Sequence, residues 1–198
     1  MDTLQTQERF DIPCVILAGG KSSRMGADKA LLPFGQFNSL AEFQYDKFSR
    51  IFYSVYLSAK ENKFDFKCNF LKDCDSEIFS PLVALKSAIE SSKNDSVFII
   101  AVDYPFISKS SIAKLIQNET NCKITIAKTT QNHNLCGIYS KKILPKIEEL
   151  LEQNIHKIGT LLASVDTCMV DFEDDEEFCN MNFETEYNKI FNSYKNNL

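Results

Sequence analysis

Short apolar runs alternate along this chain with longer segments in which apolar residues recur at helical spacing. Cys14-Val15-Ile16-Leu17 and residues 97–102, VFIIAV, are apolar at every position. Runs without a polar alternate fit parallel strands covered on both faces, and the second, the most apolar of the chain, predicts the central strand. Further strands are predicted over 53–59, 68–71, 124–127, 135–139 and 168–172. Helices are predicted between them. One follows Ser39, a natural cap, and carries Leu40, Phe43, Tyr45, Phe48 and Ile51. Another opens on Pro81, suited to a first helical turn, and contains Leu82, Leu85, Ala88 and Ile89. Two more are predicted from Ser108 or Ser110 to Ile116 and over 143–151, and a last one around 184–194. Strands alternating with helices predict an α/β fold: three layers, α/β/α, Rossmann-like, with a mainly parallel sheet and helices on both faces. Such sheets bind ligands at the carboxyl ends of their strands.

The first strand runs directly into LAGGKSSRMGADK, residues 17–29, around which the rest of the chain is organised. Gly19 and Gly20 remove Cβ atoms that would hold a ligand's phosphates away from backbone N–H groups. Ser22, Ser23, Arg24 and Lys29 add hydroxyl donors and positive charge. The combination suits a polyphosphate. Two familiar phosphate loops are excluded: a P-loop requires a glycine where Val15 stands, and the dinucleotide fingerprint requires a residue between Gly19 and Gly20.

Asp103, in AVDYPFI, directly follows the predicted central strand. An isolated aspartate can simply terminate a strand. Beside a phosphate loop, its carboxylate can instead hold Mg²⁺ against phosphate oxygens while water and substrate supply most other ligands. Asn180 and Asn182, in FCNMNFETE, lie between the last predicted strand and the last predicted helix, a place where asparagine commonly caps.

These motifs carry a resemblance. Residues 17–29 resemble the L-A-G-G-x-S-x-R-M-G-x-D-K signature of nucleotidyltransferases that open the triphosphate of an NTP, with Leu17, Ala18, Gly19, Gly20, Arg24, Met25, Gly26, Asp28 and Lys29 in register. Asp103 and Pro105 match the D-x-P motif of the same enzymes, whose aspartate binds metal. FCNMNFETE is similar to their F-x-N-V-N-T-P-E-E segment, with Phe183, Glu184 and Thr185 in place of Thr-Pro-Glu. Over nearly its whole length the chain resembles the molybdenum cofactor guanylyltransferases, the MobA family. Asp73 falls where that family has an aspartate ahead of a nucleotide-contacting P-L-x-G segment; Pro81 and Leu82 keep the segment, with Val83 and Ala84 following and no glycine. His133 aligns with an H-P segment whose proline is here Asn134, and Ser58 stands where asparagine is frequent.

The resemblance implies transfer of GMP from GTP to the terminal phosphate of molybdopterin, with release of pyrophosphate. It implies that Leu17, Ala18, Gly19, Gly20, Lys29, Asp73 and Asp103 contact the nucleotide. Arg24 and Lys29 would take the developing charge, with Asp103 as the third catalytic group, and Asp103 and Asn182 would hold Mg²⁺. A phosphate acceptor is already an anion at neutral pH, so the chemistry asks for no strong general base, and no Ser-His-Asp pattern is visible. The implied partners are GTP and molybdopterin. The instability of free molybdopterin adds proteins of the cofactor pathway, to receive and deliver it. Three other readings stay open. One is a related nucleotidyltransferase, acting with CTP on molybdopterin or on a sugar or polyol phosphate. Another is a nucleotide-binding regulatory protein without catalysis. A phosphate-accepting signalling domain is disfavoured, because it needs an acidic pair where Ala18-Gly19-Gly20 stands.

Composition narrows the picture little further. A single nucleotidyltransferase domain over 1–198 is expected, since no linker or repeat divides the chain and one domain of this length buries roughly 70% of its unfolded surface. Net charge −5 with scattered basic residues argues against nucleic acid as a partner, and no apolar run approaches a membrane span. The start, MDTLQTQERF, lacks the pattern of a signal peptide, so a cytoplasmic location is expected. Seven cysteines without a C-x-x-C pair predict neither a zinc site nor a disulfide framework. The acidic run 171–177, with six carboxylates in seven residues, is expected to be a solvated surface turn. His156, on a helical pattern, is expected at the surface. Phenylalanine should mostly fill the core, with Phe34 or Phe37 near enough to the glycine loop to line a pterin pocket.

Overall fold

The computed structural model describes residues 9–19, 28–74, 80–119, 122–173 and 175–179. Among these, the strands are β1 (Cys14–Leu17), β2 (Val55–Ala59), β3 (Phe70–Lys72), β4 (Ser96–Ala101), β5 (Ile124–Lys128), β6 (Asn132–Ser140) and β7 (Thr167–Asp171). They form one sheet in the order β3-β2-β1-β4-β6-β5-β7, with VFIIAV in the central position as predicted. Every pairing is parallel except the two made by β6. The reason lies in the connection from β5 to β6: three residues, closed by Thr129 N donating to the Gln131 carbonyl at 2.9 Å, can make a hairpin but not a crossover. The sheet is therefore mixed, and β6 is nine residues long where 135–139 was predicted.

Among the described residues five α-helices cover it: α1 (Leu40–Ser49), α2 (Pro81–Ser91), α3 (Lys109–Gln117), α4 (Leu144–Glu152) and α5 (Ile158–Ser164). The first three are started by serine caps. Ser39 Oγ accepts from Glu42 N at 3.1 Å, Ser80 Oγ from Leu82 N at 3.2 Å, and Ser108 Oγ from Ser111 N at 3.1 Å. Pro81 follows its cap in the first turn of α2. The strands alternate inward contacts with both layers. Cys14, Ile16, Phe98 and Ile100 pack toward α1 and α3, while Val15, Leu17, Val97 and Ile99 pack toward α2, α4 and α5.

Several expectations change. α5 was not anticipated, because its Ile158, Leu161 and Leu162 face inward from only seven residues, too few to register as a period. His156 belongs to the turn before α5, half-buried, with Nδ1 3.1 Å from Ser80 Oγ and Nε2 2.9 Å from Asn154 Oδ1. Phe34 is fully buried against Phe43, with ring centroids 4.6 Å apart, and Phe37 packs on the same ring at 5.5 Å, so neither stands ready to line a pterin pocket. A disulfide joins Cys122 to Cys168. The two are 46 residues apart in sequence and become neighbours only because β5 and β7 pair in parallel, with Thr125 opposite Cys168. The predicted last helix lies outside the described residues. No helix among the described residues is long and apolar enough to cross a membrane.

Gly137 lies where the sheet leaves no room for a side chain. A Cβ there would lie 2.8 Å from Ile126 Cα, beside the point where the β5–β6 register slips between Ile126 and Ala127. Overpacking of this kind costs about 1–3 kcal/mol. Gly137→Ala is expected to lower the midpoint of thermal unfolding, whereas Gly159→Ala, with nothing within 4 Å of the added methyl, leaves it unchanged or raised.

Candidate active site

β1, β2 and β4 all end at the same edge of the sheet, and backbone bonds lace their ends together. Ala18 N donates to the Ser58 carbonyl at 2.9 Å, and Val102 N to the Leu17 carbonyl at 3.0 Å. A cleft of about 180 Å³ opens there, lined by Leu17, Ala18, Gly19 and Asp28 to Ala30 on one side and by Ala101 to Asp103 on the other, with Pro81, Ala84 and Leu135 closing it. Asp28 begins a helical turn, Lys29–Leu31, and caps it by accepting from Ala30 N at 3.0 Å.

The turn aims Lys29 across the cleft, its Nζ 3.5 Å from Asp103 Oδ2, both side chains being less than one-fifth exposed. The other carboxylate oxygen, Oδ1, is buried without a hydrogen-bond partner. Burial pushes the Asp103 carboxyl above its usual value, more than the attraction of Lys29 pulls it down. A buried carboxylate oxygen left over on a cleft wall is a donor for a hard cation, and one carboxylate with open coordination suits Mg²⁺, which keeps several waters. Among the described residues no cluster of three or more histidine, cysteine or acidic side chains could hold a metal. Any cation here must complete its shell from other groups.

Gly19 works differently from the sequence expectation. Its missing Cβ points into the protein, where it would lie 3.2 Å from Ala59 Cα and 3.3 Å from Asp73 Oδ2. The glycine lets the exit of β1 pass between β2 and Asp73. Asp73 itself is buried and accepts from Ser58 Oγ at 2.6 Å. Burial raises its carboxyl, while the Ser58 bond and the nearby Lys60 and Lys63 charges lower it. Ala84 sits on α2, where a helical backbone makes no demand for glycine, so the altered P-L-x-G segment places a small methyl on the cleft wall.

Sequence reasoning passed over four supporting residues. Gln44 of α1, fully buried, donates to the carbonyls of Val102 at 3.1 Å and Tyr104 at 2.8 Å, on either side of Asp103. Lys47, one turn further along, donates to the Pro105 carbonyl at 2.7 Å; burial lowers its ammonium to about 8, against the opposing pull of Glu177. Lys63 bonds the Ala18 carbonyl at 2.9 Å and pairs with Asp28. Ser58, read as a departure from the family pattern, holds Asp73. None follows a motif, because each contact joins residues far apart in sequence.

His133 is buried, and both its ring nitrogens are near partners: Nδ1 is 3.4 Å from Tyr104 Oη and Nε2 is 2.8 Å from Thr129 Oγ1. Its ring stacks on Phe178 at 4.8 Å, and burial lowers its basicity. It ties β6 to the segment after β7. That segment includes the acidic run, which is less idle than expected. Glu177 accepts from Ser108 Oγ at 3.2 Å and Ser111 Oγ at 2.5 Å at the start of α3, Asp175 accepts from Thr130 Oγ1 at 3.3 Å, and Asp171 pairs with Lys128 at 3.3 Å. Gly20, Arg24, Asn180 and Asn182 lie outside the described residues.

Residues 14–168 match the family model described as the MobA-like NTP transferase domain. A protein of Campylobacter jejuni strain RM1221 named molybdenum cofactor guanylyltransferase is 44% identical over 188 residues, covering 93% of this chain and 98% of that protein. One of the same name from Helicobacter pylori strain J99 is 32% identical over 183 residues, covering 89% and 87%. Among solved structures, molybdopterin-guanine dinucleotide biosynthesis protein A from Archaeoglobus fulgidus superposes with a TM-score of 0.79 at 19% identity, covering 92% of this chain and 98% of that one, a likeness of fold. The paired Lys29 and Asp103, facing each other across a cleft at the ends of β1 and β4, thus sit in the sequence and fold of known relatives: the chain belongs to the MobA-like NTP transferase family, alongside proteins named molybdenum cofactor guanylyltransferase.

Proposed function

We propose that the chain transfers GMP from GTP to the terminal phosphate of molybdopterin. An acceptor phosphate oxygen attacks the α-phosphorus of GTP, the bond to the β-phosphate breaks, and pyrophosphate leaves with the electron pair. The observation that carries this reading is the Lys29–Asp103 pair facing across the cleft, in a chain 44% identical to proteins named for that activity. The acceptor needs no deprotonation, so the protein's task is to align two phosphates and to stabilise charge on the one that leaves. Leu17 and Ala18, with Pro81 and Leu135, form the apolar wall of the cleft. Ala84 narrows it by one methyl. Lys29 would neutralise the leaving pyrophosphate, with Arg24 as its proposed partner.

Asp103, together with Asn182, would hold Mg²⁺, which when bound supplies positive charge to the phosphate oxygens. Lys29 holds its ammonium 3.5 Å from Asp103 Oδ2, inside the cleft that the phosphates would enter. Gln44 and Lys47 keep the turn that bears Asp103 from shifting as its charge environment changes. Asp73, beside Gly19, would contact the nucleotide. Hand-off of the cofactor between proteins of its pathway belongs to the same proposal.

Removing one preorganised charge-stabilising group costs ~10²- to 10³-fold in rate. Lys29→Ala and Asp103→Asn are each expected to lose that much pyrophosphate release with GTP, Mg²⁺ and molybdopterin, while circular dichroism stays native. Near-wild-type turnover would remove the residue from the mechanism. In a thermal-shift series, GTP with Mg²⁺ is expected to raise the melting temperature more than CTP, UTP or ATP; a preference for CTP would favour a cytidylyltransferase. Asp73 offers a test of the site's electrostatics. Its carboxyl is raised above 3.8 by burial, so the stability it contributes is full below that value and is lost as the pH rises through its folded value. Asp73→Asn, which keeps the acceptor for Ser58, is expected to melt higher than wild type at neutral pH, with the gap closing on acidification toward pH 3.8, and to bind GTP less tightly.

A further inference from the structure

The turn that carries Lys29 is also fastened from outside. Asp28 caps it with Oδ1, and the opposite carboxylate oxygen, Oδ2, is taken by Lys63 Nζ. The same ammonium donates to the Ala18 carbonyl at 2.9 Å. One side chain thus joins the end of β1 to the first residue of the turn. It does so from a third place, the connection between β2 and β3, which is 45 residues from Ala18 and 35 from Asp28 in sequence. That connection is itself anchored. Phe64 and Phe66 pack against the core, their rings 5.8 Å apart, with Phe66 6.0 Å from Tyr45 of α1 and Phe64 6.3 Å from Phe70 of β3. The side chains of Lys63 and Asp28 are 19% and 32% exposed, which lifts their interaction above that of a solvated surface pair.

We infer that Lys63 is a positioning residue for the transfer reaction: it clamps Asp28 to the end of β1 and so fixes the turn that aims Lys29 at Asp103. The inference rests on the proposed role of Lys29. Its chemistry is complementary at each end, an ammonium with several donors serving one carbonyl and one carboxylate. A carboxylate pinned from outside leaves its other oxygen oriented toward Ala30 N, so the cap and the clamp support each other. Misplacing a catalytic group by about 1 Å can cost as much as 10²-fold in rate.

The test compares Lys63→Met, Lys63→Arg, Asp28→Asn and the pairs with Lys29→Met. Lys63→Met is expected to lower kcat of GMP transfer by about 10- to 100-fold with little change in KM for GTP. Lys63→Arg recovers most of that loss. In the Lys29→Met background the same change costs less than about twofold, because a positioning residue has nothing left to position. An equal loss in both backgrounds overturns the inference and would mean that Lys63 acts on the substrate directly; an unchanged rate for Lys63→Met overturns it as well. Amide hydrogen exchange of the substrate-free protein gives a readout independent of turnover. Exchange at Ala30 N is expected to speed up in Lys63→Met, and unaltered protection there defeats the clamp. Asp28→Asn, which retains the capping oxygen while removing the charge, repeats the test should Lys63→Met fail to fold. A wild-type protein without activity on GTP would defeat the proposed function while leaving the exchange measurement able to judge the clamp.

Discussion

The parallel pairing of β1 with β4 is the constraint on which the site depends. It sets Leu17 beside Ala101, so that the loop leaving β1 and the turn leaving β4 emerge together at one edge of the sheet. Both strands are buried on both faces, and this leaves their ends as the place where polar chemistry can gather. A one-residue slip between them would turn Cys14 and Ile16 away from one core and into the other, so the register is held by two hydrophobic layers at once. The Lys29–Asp103 pair stands on that register.

The site is built in tiers. Lys29 and Asp103 face the cleft; behind them Asp28, Gln44 and Lys47 fix the backbone that carries them; and behind these lie α1 and the aromatic cluster of Phe34, Phe43 and Phe37. Each tier uses a different physical device. The first keeps a charge partly dehydrated, with one carboxylate oxygen unpartnered. The second binds backbone carbonyls by side-chain donors, which ties a turn without requiring a regular element. The third supplies the packed apolar volume that makes the donors stay where they are.

The far side of the sheet shows the same economy of long-range contacts. β6 turns back by a three-residue hairpin, and its His133 reaches Tyr104, the residue next to Asp103 in the turn after β4. Glu177 caps the entry to α3 from the segment beyond β7, while the Cys122–Cys168 disulfide joins that strand to the lead-in of β5. Residues that look like surface charge or a spare thiol in the chain are therefore fastenings between elements.

Much of this molecule is written locally. The apolar runs of β1 and β4 are legible because burial on both faces leaves no polar position, and Ser39, Pro81 and Ser108 announce their helices by chemistry that acts within the first turn. Leu17, Gly19, Lys29 and Asp103 likewise carry, in the sequence alone, the expectation of a phosphate site, and the structure sets these four around one cleft. What only the tertiary structure decided is of another kind. The inward face of Gly19, the packing of His133 on Tyr104 and Phe178, the grip of Gln44 on the Asp103 turn and the bridge from Lys63 to Asp28 all join residues tens of positions apart. Sequence periodicity records which face of an element is buried, but which carbonyl lies beneath a given side chain depends on strand order and register, and those are fixed only when the layers pack.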